Sequence, residues 1–282
     1  MKIILFGSGQ GGRMAARWLP ADKTLMAFAD SDPQKQGTRL DGVPVVAPEK
    51  IPALAPDLVW ITVLNREAAA SIESRLRTLG YGGPIETLNP FRERMDLRLA
   101  QIRLMAQEIN AANLPGAVAE LGVYQGALAA ELNCLFPDRT LYLFDTFTGF
   151  PPADVETERR LASHTRASAK DFSDTSQEQV LARLPHPEKA VFCKGRFPET
   201  LPPNLPPLAF VSLDPDLYEP TYSGLLAFWP KLVPGGAILI HDYNSAQFPG
   251  AGKALRRFCQ EQGLMAIPLA DLHGSAILLK QK

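Results

Sequence analysis

Cysteine is scarce in this chain of 282 residues: Cys134, Cys193 and Cys259 stand far apart, and no C-x-x-C pair occurs. An odd, scattered set of this kind excludes a disulfide framework and a cysteine-built zinc site, and it suits a reducing compartment. All three are expected to be buried as small hydrophobes. A surplus of either charge is lacking as well. The 29 basic and 30 acidic residues leave a formal net charge of -1, with no long run of one sign, so the electrostatic footprint of a nucleic-acid binder is missing. No stretch approaches the ~18 apolar residues of a membrane helix, and the opening run 1–6 is stopped by Gly7 before it reaches signal-peptide length. A cytoplasmic protein is expected, with neither nucleic acid nor membrane among its partners. Internal repeats and low-complexity tracts are absent, although residues 198–207 form a proline-rich loop.

What is there is an ordinary globular composition, 46% hydrophobic and 21% charged, long enough for two α/β domains or one large one. From residue 1 to 88 the pattern alternates, with strands at 3–6, 24–29, 58–63 and 84–88 and helices at 12–19 and 67–79. Alternation of this kind predicts a small parallel sheet with helices outside. Residues 92–113 carry Met95, Leu99, Ile102, Met105 and Ile109 at steps of three or four, which predicts one amphipathic helix ended by Leu114-Pro115-Gly116. That helix either packs on the following domain or forms a dimer seam. The strand pattern restarts at 117–121, 140–144, 190–193, 209–213 and 237–240, and the stretches 264–269 and 275–279 read as a closing hairpin across His273-Gly274. The expected domains are 1–88 and 116–282, joined by a linker helix over 89–115.

Two acidic clusters carry the most chemistry. Phe210-Val-Ser-Leu-Asp214-Pro-Asp216 and, after a Pro-Gly-Gly turn, Ala237-Ile-Leu-Ile-His241-Asp242 each join an apolar run to carboxylates. A core rejects such carboxylates unless they are paired or metal-bound. In an open parallel sheet the carboxyl ends of the strands are where ligands sit, so Asp214, Asp216, His241 and Asp242 are expected to converge. The other histidines, His164, His186 and His273, fall in loop-like sequence and are expected at the surface, and Glu219 and Arg257 read as solvated charges.

A cofactor site is expected where Glu120-Leu-Gly122-Val-Tyr124-Gln-Gly126 ends one strand and opens a helix. Gly122 and Gly126 let the backbone approach a ligand, and Glu120 sets a negative charge beside it. A pyrophosphate is repelled by that carboxylate, whereas the ammonium and sulfonium of S-adenosylmethionine are attracted. Asp145, at the tip of the next strand, is the acid expected to take both ribose hydroxyls. A tight turn with a solvated acid is the alternative. In the first domain, Gly7-Ser-Gly9-Gln-Gly11-Gly12 follows a strand and opens a helix, with Asp30 ending the next strand. This is the context of a dinucleotide fingerprint, but only one mononucleotide-binding half is present.

The segments Glu120-Leu-Gly-Val-Tyr-Gln-Gly126, Phe144-Asp145-Thr146-Phe147-Thr-Gly149-Phe-Pro151, Asp171-Phe-Ser173-Asp174-Thr-Ser176, Lys194-Gly195-Arg-Phe197, Asp214-Pro-Asp216-Leu-Tyr218 and His241-Asp242-Tyr243 occur in an order that resembles the macrocin O-methyltransferase family over residues 116–282. The resemblance implies a class I S-adenosylmethionine-dependent methyltransferase fold, a doubly wound and mostly parallel seven-stranded sheet, here preceded by a small Rossmann-like α/β domain. It implies S-adenosylmethionine as donor, a sugar hydroxyl as acceptor and a magnesium ion. Carried over residue by residue, Glu120, Gly122, Tyr124 and Gly126 hold the methionine part and Asp145 the ribose, with Thr146 and Phe147 also among the cofactor-binding residues. Lys194 and Gly195 take the adenine edge, and Ser173 lies in a lid. Asp214 and Asp242 match metal ligands that border the cofactor, and Asp216 lies next to the acceptor. The family pattern commonly has paired aspartates where this chain has His241-Asp242.

A sugar hydroxyl is a poor nucleophile until its proton is removed or its oxygen is bound to a metal. Asp214, His241 and Asp242 are therefore assigned to the metal and Asp216 to the base. His241 keeps two further readings, as the base of a metal-free site or as a structural residue. Imidazole shifts the metal preference from magnesium toward a transition metal. Residues 28–37 and 42–46 resemble the N-terminal nucleotide-sugar-binding domain of bacterial sugar acetyltransferases. Such a domain would hold the nucleotide or sugar end of the acceptor, or serve packing and dimerisation. A homodimer acting on a sugar, nucleotide-sugar or glycoside is expected. The competing class is a nucleotide-sugar- or NAD-binding protein whose methyltransferase-like half is a non-catalytic scaffold.

Overall fold

The apolar runs of the sequence become the central strands of two separate sheets, one in each of the units into which the chain divides, Met1–Leu97 and Arg98–Lys282. The computed structural model describes residues 1–162, 165–245, 247–272 and 274–281, with the backbone alone at 92–94. His164 and His273, expected at the surface, lie outside the described residues.

The first unit runs β1 (Lys2–Phe6), α1 (Gln10–Trp18), β2 (Thr24–Ala29), β3 (Arg39–Leu40), β4 (Val43–Val46), α2 (Ile51–Leu54), β5 (Leu58–Ile61), α3 (Arg66–Thr78), β6 (Ile85–Thr87) and α4 (Asn89–Arg94). Its sheet order is β3-β4-β2-β1-β5-β6, parallel except for the β3–β4 pair. Ile4, Phe6, Val59 and Ile61 fill one face, and Ile3, Leu5 and Phe28 the other. The β3–β4 hairpin was not expected from the sequence. Its strands are short, and Pro44, which has no N–H to give, pairs with Arg39 of β3 just outside the stretch, beginning at Val45, where β4 pairs with β2.

The second unit begins at Arg98, the second residue of α5 (Leu97–Ala111), and continues β7 (Ala117–Leu121), α6 (Ala127–Leu135), β8 (Leu141–Asp145), α7 (Pro152–Leu161), α8 (Gln177–Leu181), β9 (Ala190–Lys194), β10 (Leu208–Leu213), α9 (Tyr218–Phe228), β11 (Leu232–Ile240), α10 (Pro249–Gln262), β12 (Ile267–Pro268) and β13 (Ala276–Leu279). The sheet order is β12-β13-β11-β10-β7-β8-β9. Strands β11 to β9 are parallel, and β13 pairs antiparallel with both β11 and β12. One face packs under α5 through Ile102, Ala106, Ile109, Val118 and Phe210; the other buries Leu121, Leu213, Phe228 and Leu255. Among the described residues no helix is long and apolar enough to cross a membrane.

Three expectations are corrected. The helix over 92–113 is two helices, because Met95 turns to an extended conformation (φ -136°, ψ 94°) and leaves its side chain exposed. The Pro-Gly-Gly turn lies inside β11: Leu208 pairs with Leu232 but Phe210 with Ala237. Pro234 cannot donate to the ladder and Gly235 takes φ +87°, so the extra residues leave the register as a bulge. Cys193 and Cys259 are buried, but Cys134 is exposed.

Candidate functional site

Sheet register brings most of the chemistry to one edge. Leu121 pairs with both Phe144 and Leu213, and Leu213 pairs with Ile240, so Gly122, Asp145, Asp214 and His241 emerge side by side where β7, β8, β10 and β11 end. Gly122, Tyr124, Asp145, Thr146, Gly195, Asp214, Asp216 and His241 line a cavity of about 240 Å³. Phe150, Pro151, Phe172, Leu217 and Pro220 make much of its remaining wall. Phe147, Ser173 and Lys194, expected around the cofactor, are not part of that wall, and neither is Gly126, whose position faces Val180 of α8.

Asp145 organises the loops around it. Its Oδ2 accepts from the backbone N–H groups of Val123 (2.8 Å) and Tyr124 (2.9 Å), and its Oδ1 from Phe147 (2.7 Å). Gly122 explains how closely two strand ends meet: at φ +89°, a Cβ there would stand 2.1 Å from the Asp214 carbonyl oxygen. Only glycine fits that position. Of the 171–176 segment, Phe172 is in the cavity wall. Asp174 accepts from the Tyr124 hydroxyl (2.9 Å) and the Gln125 amide (3.1 Å), which raises the Tyr124 pKa above its ordinary value. Thr175 donates to the Tyr124 carbonyl, and Phe172 packs edge-on against Tyr124 at 5.1 Å.

The acidic cluster is tightly knit. His241 Nδ1 lies 2.9 Å from Asp214 Oδ1 and 3.1 Å from Asp242 Oδ2, and Arg98 Nη1 lies 2.9 Å from Asp214 Oδ2. Burial would raise Asp214, but the positive charges of His241 and Arg98 outweigh it and hold the carboxyl at about 2. Burial would lower His241, yet Asp214 and Asp242 push it up to about 9. Asp216 goes the other way: burial, the charges of Asp214 and Asp242 and a hydrogen bond with Asp242 raise it well above the usual carboxylate range. Both Asp216 (φ +60°) and Asp242 (φ +56°) are held in the left-handed region, a strain that concentrates at functional sites. Glu120 is buried and not part of the wall, and among the described residues its Oε2 has no hydrogen-bond partner. Burial pushes its carboxyl well up, so the fixed negative charge expected of it is weakened.

Arg98 was missed in the sequence. It falls in the same helical phase as Ile102 and Ile109, and an arginine inside an apolar stripe signals a buried partner. Glu158 and Asp154, on α7, were missed too. Glu158 accepts from the N–H groups of Tyr218 (3.0 Å) and Gly250 (2.8 Å), and Asp154, in the cavity wall, pairs with Arg196 at 2.8 Å. Arg257, read as a solvated charge, donates to the Tyr218 hydroxyl (3.0 Å) and to Glu261 (2.8 Å). His186 is half-buried, its backbone clasped by the Asn133 side chain.

In the first unit a cavity of about 320 Å³ lies beside Gly7, Gly9, Asp30, Lys35 and Thr62. Asp30 is engaged internally: it accepts from Ser8 N–H (3.1 Å), Ser8 Oγ (2.5 Å), Asp32 N–H (3.0 Å) and Lys35 Nζ (3.2 Å). A Cβ at Gly12 would stand 1.9 Å from the Gly7 carbonyl oxygen, so this glycine serves helix–strand packing.

The chain is 30% identical over 156 residues to demethyldecarbamoylnovobiocin O-methyltransferase of Streptomyces niveus, covering 52% of this chain and 60% of that protein. It is 32% identical over 162 residues to 8-demethyl-8-(2,3-dimethoxy-alpha-L-rhamnosyl)-tetracenomycin-C 4'-O-methyltransferase of Streptomyces olivaceus, with the same coverages of 52% and 60%. The match therefore spans about 60% of the length of these curated relatives. Its fold is similar to that of the O-methyltransferase NovP, with a TM-score of 0.56 and 26% identity over 66% of this chain and 80% of that one. Calicheamicin methyltransferase CalS11 shares the fold at a TM-score of 0.53 and 21% identity, covering 76% and 86% of the two chains. The Macrocin-O-methyltransferase (TylF) family model matches residues 63–281, beginning well before the stretch whose motifs carry the resemblance, and the chain belongs to that family.

Proposed function

We propose that this protein transfers the methyl group of S-adenosylmethionine to a hydroxyl of a sugar or glycosylated small molecule, with Asp216 as general base. The observation that carries the reading is that Asp216, on a left-handed turn beside Asp214, faces the same cavity as Gly122 and Asp145. The rhamnosyl group in the second relative's name supports a sugar hydroxyl as acceptor. In the transfer the sulfur–carbon bond breaks as the oxygen–carbon bond forms, and the hydroxyl proton passes to Asp216. Gly122, Tyr124 and Asp145 orient the donor, while Phe150 and Phe172 exclude water. Asp216 and Asp214 divide the work by environment. The carboxyl with raised proton affinity is the stronger base, and the one held at about 2 is the better ligand for a cation.

Asp214, His241 and Asp242 would hold a divalent ion, since one ligand atom from each lies within 4.8 Å of the others, a spread that metal bonds of roughly 2.0–2.3 Å can bridge. A bound ion supplies the chemistry of lowering the pKa of a coordinated hydroxyl. The imidazole favours manganese or another transition metal over magnesium. In the first unit, the cavity beside Asp30 and Lys35 supports a nucleotide or nucleotide-sugar site. The test is transfer of labelled methyl to glycoside and nucleotide-sugar acceptors, with and without chelator, alongside calorimetric binding of S-adenosylhomocysteine. Tight NAD(H) binding without any binding of S-adenosylhomocysteine overturns the reading in favour of a cofactor-binding scaffold.

A further inference from the structure

Asp154 is a carboxylate in a largely apolar stretch of the cavity wall. It belongs to the first turn of α7, and its side chain is only 2% exposed, yet it lines the cavity together with Phe150, Pro151, Leu217 and Pro220. Its ion-pair partner, Arg196, does not use it up. A guanidinium commonly meets a carboxylate with two parallel N–H···O bonds, one to each oxygen. Here Nε (3.3 Å) and Nη2 (2.8 Å) both turn to Oδ1, while Nη1 goes to Glu199 at 2.9 Å. No hydrogen bond among the described residues reaches Asp154 Oδ2. Unlike Glu120 Oε2, this oxygen is not shut off from solvent, and the space that Asp154 borders is the cavity. An acceptor with that much capacity left over, at the edge of an enclosed site, is placed to meet a ligand.

The helix that carries Asp154 is fastened to the turn that carries the proposed base. Glu158, four residues further along and so on the same face of α7, accepts from the N–H groups of Tyr218 and Gly250, and Tyr218 is two residues from Asp216. The residues that orient the donor, Gly122, Tyr124 and Asp145, come instead from the ends of β7 and β8. Arg196 balances the charge of Asp154, so the free oxygen calls for a neutral O–H donor more than for a second cation. We propose that Asp154 accepts a hydrogen bond through Oδ2 from a second hydroxyl of the acceptor sugar, one that is not itself methylated. This rests on the reading that the acceptor is a sugar, and it adds a group that turns the acceptor toward Asp216. The site then selects neutral sugars in which that second position is unmodified. A deoxy position leaves Oδ2 unmet, and an ether there has no hydrogen to donate.

Methyl-transfer kinetics on the full chain test this with the p-nitrophenyl glycosides of L-rhamnose, D-glucose and D-galactose, each beside its monodeoxy analogues. On a sugar that is methylated, wild type is expected to lose roughly 10- to 100-fold in kcat/KM when one hydroxyl other than the methylated one is removed. In Asp154→Asn, Arg196 takes the amide oxygen and the cavity is left facing an N–H donor. The intact sugar should then show a KM raised by roughly 10- to 100-fold with kcat within about threefold of wild type, and that deoxy analogue should be handled as well as the intact sugar. Binding of S-adenosylhomocysteine to the variant, by calorimetry, should stay within about threefold of wild type. Equal wild-type kcat/KM for every analogue that keeps the methylated hydroxyl overturns the proposal, and this holds even if Asp154→Asn fails to fold. A variant that keeps the wild-type discrimination also overturns it, because Asp154 would then serve only to hold Arg196. So does a loss of about tenfold or more in S-adenosylhomocysteine binding, which moves Asp154 to the donor. If wild type binds S-adenosylhomocysteine but methylates none of these glycosides, the sugar-acceptor reading itself falls, and this proposal with it.

Discussion

Asp214 and Asp216 are two residues apart in one turn, yet their environments drive them in opposite directions. His241 and Arg98 keep Asp214 ionised, whereas burial and two neighbouring carboxylates make Asp216 hold a proton strongly. The proposed base is therefore testable by a near-isosteric change. Asp216→Asn should lower kcat by roughly 10²- to 10⁴-fold with little change in S-adenosylhomocysteine affinity; an equal loss in binding would place the residue in donor recognition instead. Asp30, in the first unit, gives a pH-dependent counterpart. Burial would raise its pKa, but the bonds from Ser8 and Asp32, together with the Lys35 charge, bring it below the ordinary value. The ionised form therefore stabilises the fold above about pH 4, and that contribution is lost as the pH falls through the depressed folded-state value. Between neutral pH and pH 3, the denaturant midpoint of the wild-type first unit should drop more steeply than that of Asp30→Asn, as followed by hydrogen exchange in Met1–Leu97.

At the level of elements, the site depends on contacts between ends. Glu158 fastens α7 to the first turns of α9 and α10 by accepting from Tyr218 and Gly250, and it is wholly buried. Glu158→Ala removes a charged acceptor from two helix N-termini and should cost about 2–4 kcal/mol of unfolding free energy in urea titration. Gly122→Ala combines an unfavourable φ with a clash against the Asp214 carbonyl. About 1–3 kcal/mol of strain is expected, and because the clash pushes on the turn that carries Asp214 and Asp216, S-adenosylhomocysteine binding should weaken with it. These same contacts mark where sequence reading stops. Asp145, Asp214, Asp216 and Asp242 were legible because a carboxylate directly after a buried apolar run conflicts with burial, and β7 and β10 because such runs have few alternatives. Glu158 was not legible, since its partners lie far along the chain and offer backbone N–H groups, which leave no mark on side-chain type. The Pro-Gly-Gly bulge in β11 was read as a turn because both structures call for the same residues. Arg98 left a trace in its helical phase, but its partner across the sheet edge could not be read from spacing.

At the scale of the whole molecule, the two units bury separate cores. The clusters around Ile4, Phe6 and Ile61 and around Leu5 and Phe28 draw on residues 3–85, whereas those around Phe144, Leu213 and Phe258 and around Ile102, Leu143 and Phe210 draw on residues 102–278. Among the described residues, those that line the cavity at the end of the second sheet belong to the second unit, Leu121 to His241. A ligand that binds the folded form stabilises it by RT ln(1 + [L]/Kd), about 2.7 kcal/mol at a hundredfold excess over Kd. That free energy is available only to the cooperative unit whose unfolding destroys the site. Hydrogen exchange with saturating S-adenosylhomocysteine should therefore show added protection in the strands β7, β8, β10 and β11, with amides of β1, β2 and β5 unchanged. Protection that rises equally in both units would mean that they unfold together. A gain confined to the first unit would move the adenosyl site to the cavity beside Asp30 and overturn the assignment of the donor to the second sheet.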